Sequence, residues 1–272
     1  VSVALAVLCK REMLAPALTL GVCVLAERSK HLPQRFRDAR FEFFGKRLAG
    51  MTSAQPRAQA CIDAIKVDLP SPLGRIFVAN AFDPETRGQA ESILQQVKAV
   101  VSERSQAADW LAADTRAAAL EKVASIRMSI GHPDKWLDDQ RVVIRRDDHY
   151  GNAKRAGQAL RRVSYGRIGR APSLSWWVEP VTWMGGYYQT KLNRMVITAA
   201  MLLNLSQTET DPARLYGGYG SFIAHELIHG FDPKGSHYDA DGRRRNWWTD
   251  EDRSRFEELT NDLVAQYNGY EP

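Results

Sequence analysis

The chain has 272 residues, of which 44% are hydrophobic and 25% are charged. This composition excludes a disordered, fibrous or low-complexity protein, and the length suffices for one large domain or two modest ones. The net charge of +5 arises partly from an arginine-rich stretch at 141–170. Its arginines do not alternate with aromatic side chains as a nucleic-acid stacking surface requires, so we interpret it as a solvated face and predict no nucleic-acid partner.

The three cysteines and the apolar N-terminal stretches exclude two further features within this chain, namely a disulfide framework and a membrane span. An odd, sparse set of cysteines is not a disulfide framework. The stretches 1–8 and 13–26 are too short to span a bilayer and lack the order of a signal peptide, so we predict no membrane span within this chain. Because Val1 begins in the middle of an apolar pattern, we expect that an N-terminal segment is missing.

Residues 1–130 are predicted to be mainly helical. Ile93, Val97 and Val101 recur at helical spacing. Asp114-Thr115 is expected to cap a second helix that runs to residue 124, and the turn-forming residues 131–134 end the helical pattern.

From Pro172 onward the chain is richer in residues that favour strands, namely Trp176, Trp177, Trp183, Tyr187 and Tyr188. Residues 187–197 are predicted to form a hairpin with its turn at 190–193. Asp211-Pro212 is expected to open a helix that runs to Phe231, and its glycines at 217, 218 and 220 suggest close approach of another backbone. Thr249 is predicted to cap a last helix, which ends near Tyr267.

The chemistry-bearing motif is His225-Glu226-Leu227-Ile228-His229. Two histidines four residues apart share one face of a helix, so both imidazoles can reach one metal ion. Zn²⁺ is the cofactor that this pattern predicts, with Glu226 as the general base that takes a proton from a metal-activated water. The alternative is a pair of hydrogen-bonded core histidines.

Zinc needs a third protein ligand, and the position of that ligand distinguishes the types of peptidase that carry this motif. In HExxHxxGxxH proteins a histidine follows six residues after the second ligand, but that position here is Gly235, and His237 comes two residues too late. A glutamate on a later helix is the remaining common solution. Glu258, which forms an E-x-x-x-D pair with Asp262, is a candidate inside the chain. Asp232 is interpreted either as an orienting partner of a zinc ligand or as a loop cap.

Several blocks together resemble the neprilysin and endothelin-converting-enzyme family of zinc metallopeptidases. The glycine-rich lead-in at 216–220 and the HELIHGFD block at 225–232 are similar to the family's active-site segment. The downstream segments 235–242 and 246–249 are also similar to it. Upstream, the blocks FEFFGK at 41–46, QPR at 55–57 and IGHPDKW at 130–136 resemble its N-terminal region. The resemblance therefore extends over nearly the whole chain.

The resemblance implies a mainly α fold with a small β part in a two-lobed, neprilysin-like architecture. Residues 1–175 would form the N-terminal region, a mostly helical lobe, and 176–272 the start of a thermolysin-like catalytic domain. The implied activity is zinc-dependent endopeptidase cleavage of oligopeptides on the amino side of hydrophobic residues. A cell-envelope, periplasmic or secreted location is also implied, whereas the oligomeric state is left open.

Two departures from the family pattern bear on the site. Gly185-Gly186-Tyr187-Tyr188 stands where the family's substrate-holding strand has Asn-Ala-Tyr/Phe-Tyr, so the asparagine side chain is replaced by Gly185. The strand can still pair with an extended peptide through the backbone of Gly185, Gly186 and Tyr187. In the family, the third zinc ligand is a glutamate at a position beyond Pro272. The chain is thus expected to be a fragment with two ligands and the general base.

Three hypotheses follow. The first is a zinc endopeptidase, of which the isolated chain would be weakly active or inactive. The second is a non-catalytic, truncated remnant that binds peptide or a partner. The third, a basic nucleic-acid-binding protein, would depend on the 141–170 stretch and show a steep salt dependence.

Overall fold

A computed structural model describes residues 21–25, 28–136, 142–203, 205 and 211–270. The chain divides into two compact units, and both are discontinuous in sequence. The first consists of Val1–Leu69 and Asp139–Gly166, and the second of Pro70–Asp138 and Arg167–Pro272. The predicted division at residue 175 concerns the lobes of a larger architecture and stays a prediction.

In the described residues of the first unit, the regular secondary structure is helical and is joined by irregular segments. Its α-helices are α1 (Gln34–Arg40), α2 (Arg57–Asp68) and α6 (His149–Tyr165), and a π-helical segment spans Phe41–Leu48. Asp148 begins α6 by accepting a hydrogen bond from the Gly151 N–H at 2.9 Å, and it also pairs with Arg155 at 3.0 Å. Several basic side chains of the arginine-rich stretch are exposed, namely Arg145, Arg146, Lys154, Arg161, Arg162 and Arg170.

The second unit combines helices with one small sheet. Its helices are α3 (Pro70–Ala81), α4 (Pro84–Ala107), α5 (Ala113–Ala124), α7 (Pro212–Leu215), α8 (Ser221–Ile228) and α9 (Asp250–Asn268). A π-helical segment, Tyr216–Gly220, joins α7 to α8. The strands are β1 (Arg127–Gly131), β2 (Gly186–Gln189) and β3 (Arg194–Thr198). The predicted mainly α fold with a small β part is confirmed.

The sheet has the order β1-β3-β2, with β1 parallel and β2 antiparallel to β3. The predicted hairpin is confirmed as β2 and β3, joined by a 3-10 turn at Thr190–Leu192. The strand β1 was not predicted, because its register depends on pairing with β3 more than sixty residues away. Trp176, Trp177 and Trp183 lie outside the strands, so their predicted strand character is wrong.

The core of the second unit lies where α4 and α8 meet the sheet. Every residue of β3 is buried, as expected for the central strand. Buried members of this core include Ile93, Leu94, Ile126, Ile130, Met195, Ile197, Ile223 and Leu227. Burial of these side chains supplies the main stabilisation of the arrangement, since each contributes about 1.5–3 kcal/mol of transfer free energy.

The predicted helix caps have mixed outcomes. Asp211 caps α7 through the Ala213 N–H, and the Thr249 hydroxyl caps α9 by accepting from the Asp252 N–H at 3.1 Å. The predicted cap at Asp114-Thr115 is wrong, because α5 begins at Ala113 and has Ala112 as its N-cap. The Ala112 N–H donates to the Asp252 carboxylate at 2.8 Å, so a tertiary contact lies at the start of this helix. None of the helices in the described residues combines the length and the hydropathy that a membrane span requires.

Candidate metal site

The two histidines of the motif lie together at the end of α8. His225 is in the last turn of the helix, and His229 follows directly as its C-cap. Their rings are 4.7 Å apart between centroids and nearly perpendicular, at 83°. His225 is exposed and His229 is partly exposed, so both rings are accessible from one side of the helix. The predicted helical spacing of the pair is therefore present in the structure.

Buried residues on the opposite face of α8 hold the pair in place. Ile223 and Leu227 are fully buried in the core against α4 and the sheet. Because they are four residues apart, they lie on one face, as the histidines do on theirs. Ile228 is 46% exposed, so the helix is less enclosed than its apolar sequence predicts.

Asp232 orients the second histidine and closes the following turn. One carboxylate oxygen, Oδ2, lies 2.7 Å from His229 Nδ1. The other, Oδ1, accepts hydrogen bonds from the backbone N–H groups of Lys234 and Gly235, at 2.9 and 2.7 Å. Although burial opposes ionisation, these backbone bonds and the contact with His229 lower the pKa of the Asp232 carboxyl. The carboxylate therefore makes a contact with His229 and also caps the turn, while its role toward a zinc ligand stays a prediction.

Glu226 lies on the inner side of the histidine pair. The residue is only 6% exposed, and this burial raises the pKa of its carboxyl, against the weaker opposing effect of the two histidines. A raised pKa favours a group that has to accept and return a proton near neutral pH. A β-carbon placed on Gly186 would lie 3.1 Å from Glu226 Cγ, so the aliphatic part of this side chain packs against strand β2.

Strand β2 runs beside α8 and forms an edge of the sheet as described. Gly186 pairs with Ile197 and Tyr187 with Val196, and the Gly185 carbonyl accepts from the Thr198 N–H at 3.1 Å. A side chain at Gly186 would meet the Phe222 ring at 2.9 Å and the Val196 carbonyl at 3.0 Å. The glycine thus permits close packing of the strand against the helix that bears Glu226.

The described residues do not contain a third ligand next to the pair. No group of three His, Cys, Asp or Glu side chains that could hold a metal ion occurs in the described part of the chain. Glu258 is exposed on α9 and belongs to no such group. His237 lies in the 3-10 turn Gly235–His237 and is exposed.

The sequence did not predict a buried lysine that contacts the loop after α8. Lys122 of α5 is fully buried, and its Nζ donates to three backbone carbonyls, those of Gly230 at 2.5 Å, Gly235 at 2.8 Å and Tyr238 at 2.5 Å. Burial lowers the pKa of the Lys122 ammonium to about 8, although Asp239 and Asp232 oppose this shift. The available sequence signal was the position of Lys122 on the buried face of α5.

Asn193 connects the hairpin to the same region. It adopts a left-handed backbone conformation with φ of 43°, which asparagine tolerates better than most residues. Its buried side-chain amide donates to the carbonyls of Lys122 and Ala240, each at 3.0 Å, and accepts from the Tyr188 hydroxyl. The Tyr188 hydroxyl would lie 2.9 Å from a β-carbon on Gly230, so the network reaches the residue after His229.

Two models of peptidase family M13 match the chain, one over residues 15–133 and the other over residues 185–272. The second match contains the histidine pair, Glu226 and Asp232. The chain is also similar to endothelin-converting enzyme 1 of Rattus norvegicus, at 30% identity over 257 residues. That alignment covers 91% of this chain and 34% of the enzyme. Endothelin-converting enzyme-like 1 of Homo sapiens is 28% identical over 254 residues, and that alignment covers 91% of this chain and 33% of the relative.

Solved structures with this fold include a Mycobacterium tuberculosis zinc metalloprotease, Zmp1, in complex with an inhibitor. It matches with a TM-score of 0.81 and 29% identity over 91% of this chain and 37% of Zmp1. PepO from Lactobacillus rhamnosis HN001 has the same TM-score at 21% identity, over 91% of this chain and 40% of PepO, and shows the fold alone. The chain spans about a third of the length of the curated relatives that it matches.

Proposed function

The chain belongs to peptidase family M13, and we propose that it supplies the metal-binding helix and the general base of a zinc-dependent endopeptidase that hydrolyses oligopeptides. The observation that carries this proposal is the geometry around α8. The two histidines face one side, Asp232 holds the second of them, and Glu226 lies between the helix and an edge strand.

The donor set fits zinc. Because Nδ1 of His229 faces the Asp232 carboxylate, the Nε2 atom is left to bind a metal. Imidazole nitrogens suit zinc well, and an orienting carboxylate behind a ligating histidine is its usual companion. When bound, zinc supplies Lewis acidity that polarises a peptide carbonyl and lowers the pKa of a coordinated water toward ~7.

Glu226 is proposed to take the proton of the attacking water at its carboxylate and to return it to the leaving amine. Its burial and its position beside the first histidine support this role. The backbone of Gly185, Gly186 and Tyr187 is proposed to hold an extended peptide by adding it to the edge of the sheet. In an antiparallel pair, alternate residues direct their N–H and C=O groups outward, which leaves such groups on β2 for a substrate.

The third ligand is proposed to be a glutamate at a sequence position beyond Pro272, because the described residues place no third side chain with the pair. We accordingly propose that this chain alone binds zinc incompletely and hydrolyses peptides weakly or not at all. A cell-envelope, periplasmic or secreted location is part of the same proposal. The alternative, a chain that binds peptide without cleaving it, shares the edge strand but needs neither zinc nor Glu226.

The decisive experiment measures zinc content and peptide hydrolysis on the same samples. Wild type, His225→Ala and Glu226→Gln are loaded with zinc and incubated with an internally quenched oligopeptide, and the cleavage position is read by mass spectrometry. We expect less than one zinc per wild-type chain, none retained by His225→Ala, and wild-type zinc content in Glu226→Gln. Any hydrolysis should fall by about 10²–10⁴-fold in Glu226→Gln.

The outcomes separate the alternatives. Hydrolysis that is unaffected by Glu226→Gln would remove the proposed general base. Peptide binding without cleavage, measured by fluorescence anisotropy and indifferent to zinc, would favour the non-catalytic alternative. One firmly bound zinc per wild-type chain would contradict the incomplete site and place a third ligand within these 272 residues.

A further inference from the structure

Lys122 is the strongest unexplained feature near the candidate metal site. It is fully buried, and among the described residues no carboxylate lies within ion-pair distance of it. Its ammonium lies 5.4 and 5.5 Å from the ring centroids of Phe231 and Trp247. An isolated buried charge is costly unless polar partners compensate it, so a lysine in such a position needs a specific reason.

The partners of Lys122 surround one short segment. Its three N–H groups are taken by the carbonyls of Gly230, Gly235 and Tyr238, which border the loop that contains Asp232. Three acceptors around one nitrogen match the three donors of an ammonium group, and an uncharged side chain of similar length cannot satisfy them all. The lysine therefore links the two ends of the 230–238 loop through its hydrogen bonds.

The loop in turn holds the carboxylate that faces the second histidine. Gly235 accepts from Lys122 at its carbonyl and donates from its N–H to Asp232 Oδ1 at 2.7 Å. Asp232 Oδ2 lies 2.7 Å from His229 Nδ1. The contacts thus form a continuous series from Lys122 through Gly235 and Asp232 to His229. Gly230, another acceptor, is the residue that follows His229 directly.

We propose that Lys122 is a positioning residue for the metal site, which fixes the 230–238 loop so that Asp232 keeps His229 in the orientation and tautomer needed for a metal. The lysine lies on α5, within the residues 15–133 that match the N-terminal family model, whereas the histidine pair lies within the second match. This inference adds a residue to the two proposed ligands and the proposed base. It rests on the proposed function in one respect, namely that the histidine pair binds a metal.

The test therefore measures the exchange of the Nδ1–H proton of His229 directly. Wild type and variants are labelled with ¹⁵N-histidine and examined by NMR at neutral pH without metal. In wild type we expect a slowly exchanging Nδ1–H proton on His229, assigned by its disappearance in His229→Gln and in Asp232→Asn. In Lys122→Met, which removes the three donors at similar length, this proton should exchange rapidly and its signal should be lost.

Lys98→Met is the matched control. Lys98 lies on the neighbouring helix α4 and donates to one backbone carbonyl, that of Ala124, at 3.1 Å. This variant removes a lysine-to-carbonyl bond outside the site, so the His229 signal should persist. As a second reading, zinc affinity by competition with a chelator should fall about tenfold in Lys122→Met and stay unchanged in Lys98→Met.

A folded Lys122→Met chain with an unchanged His229 signal would overturn the proposal. If Lys122→Met does not fold, Lys122→Gln, which keeps two N–H donors, is examined in its place. Failure of both variants to fold, while Lys98→Met folds, would assign Lys122 a general structural role and also overturn the proposal. Because the NMR signal requires neither zinc nor hydrolysis, its loss supports the positioning role even if the proposed peptidase activity fails.

Discussion

At the scale of single residues, the Asp232 carboxylate illustrates how one side chain serves two purposes. Its Oδ1 is engaged by two backbone N–H groups, which fix the carboxylate as part of the turn. That leaves Oδ2 as the acceptor for His229 Nδ1. Since both oxygens have defined partners, the carboxylate cannot rotate without breaking at least one hydrogen bond.

Asp232→Asn should weaken the metal site while leaving the fold intact. An asparagine oxygen can still accept from the Lys234 and Gly235 N–H groups, but its amide would then present N–H donors to His229 Nδ1. We expect zinc affinity to fall by about 10–100-fold, as for other partners of metal-bound histidines. Competition with a chelator measures the change.

Asp241→Asn is the control for this substitution, because Asp241 belongs to the same loop region and its side chain is 64% exposed. Its zinc affinity should equal that of wild type. Equal affinities for Asp232→Asn and Asp241→Asn would show that Asp232 acts only as a turn residue.

At the scale of elements, the helix that carries the histidines is reached through a glycine-rich π-helical segment, Tyr216–Gly220. The prediction that Gly217 and Gly218 permit close approach of another backbone is wrong for the described part of the chain. Apart from the helix's own backbone, a β-carbon at either position would meet none of its atoms within 4 Å. The crowded glycine lies after the helix instead. At Gly235 a β-carbon would lie 2.0 Å from the His229 carbonyl oxygen.

Gly235 is crowded and Gly218 is not, so substitution by alanine should have opposite effects on stability at the two positions. Gly235→Ala should lower the free energy of unfolding by about 1–3 kcal/mol, because the backbone has to move to admit the methyl group. Gly218→Ala, at an exposed position with free space, should raise it by about 0.5–1 kcal/mol, because alanine loses less conformational entropy in a helix. Denaturant titration followed by circular dichroism measures both values, and a tolerated Gly235→Ala would refute the crowding argument.

At the scale of the whole molecule, the segment that carries the histidine pair is folded together with residues from the N-terminal family match. Strand β3 pairs with β1, α8 packs on α4, and the loop after α8 is bound by Lys122. All of these partners lie within Pro70–Asp138, which belongs to the same compact unit as Arg167–Pro272. Neither sequence half therefore contains the whole core around the site.

A fragment of residues 176–272 should fail to fold on its own. It lacks β1, so the central strand β3 loses one partner, and it lacks Ile93 and Leu94 of the core. We expect weak helical circular dichroism and no cooperative thermal transition. A fragment of residues 70–272, which restores these partners, should show strong helical circular dichroism and a cooperative thermal transition. Cooperative unfolding of 176–272 alone would contradict this dependence.

The sequence alone determined the features that depend on neighbouring residues. The spacing of His225 and His229, the adjacent Glu226, and the caps at Asp211 and Thr249 follow from one helical turn, and all of them occur in the structure. The hairpin 187–197 was equally predictable, because its two strands are joined by a short turn. The similarity of the motif blocks identified the family for the same reason, since each block is contiguous.

Only the tertiary structure decided the features that join distant parts of the chain. Lys122 lies 108 to 116 residues from its three acceptors, and β1 finds its partner in β3 across an intervening segment. The hydrophobic pattern of α5 does not reveal which backbone carbonyls will lie beneath a buried lysine. Nor does the sequence show that both oxygens of Asp232 are used, because the direction of a carboxylate is set by the packing of the loop around it.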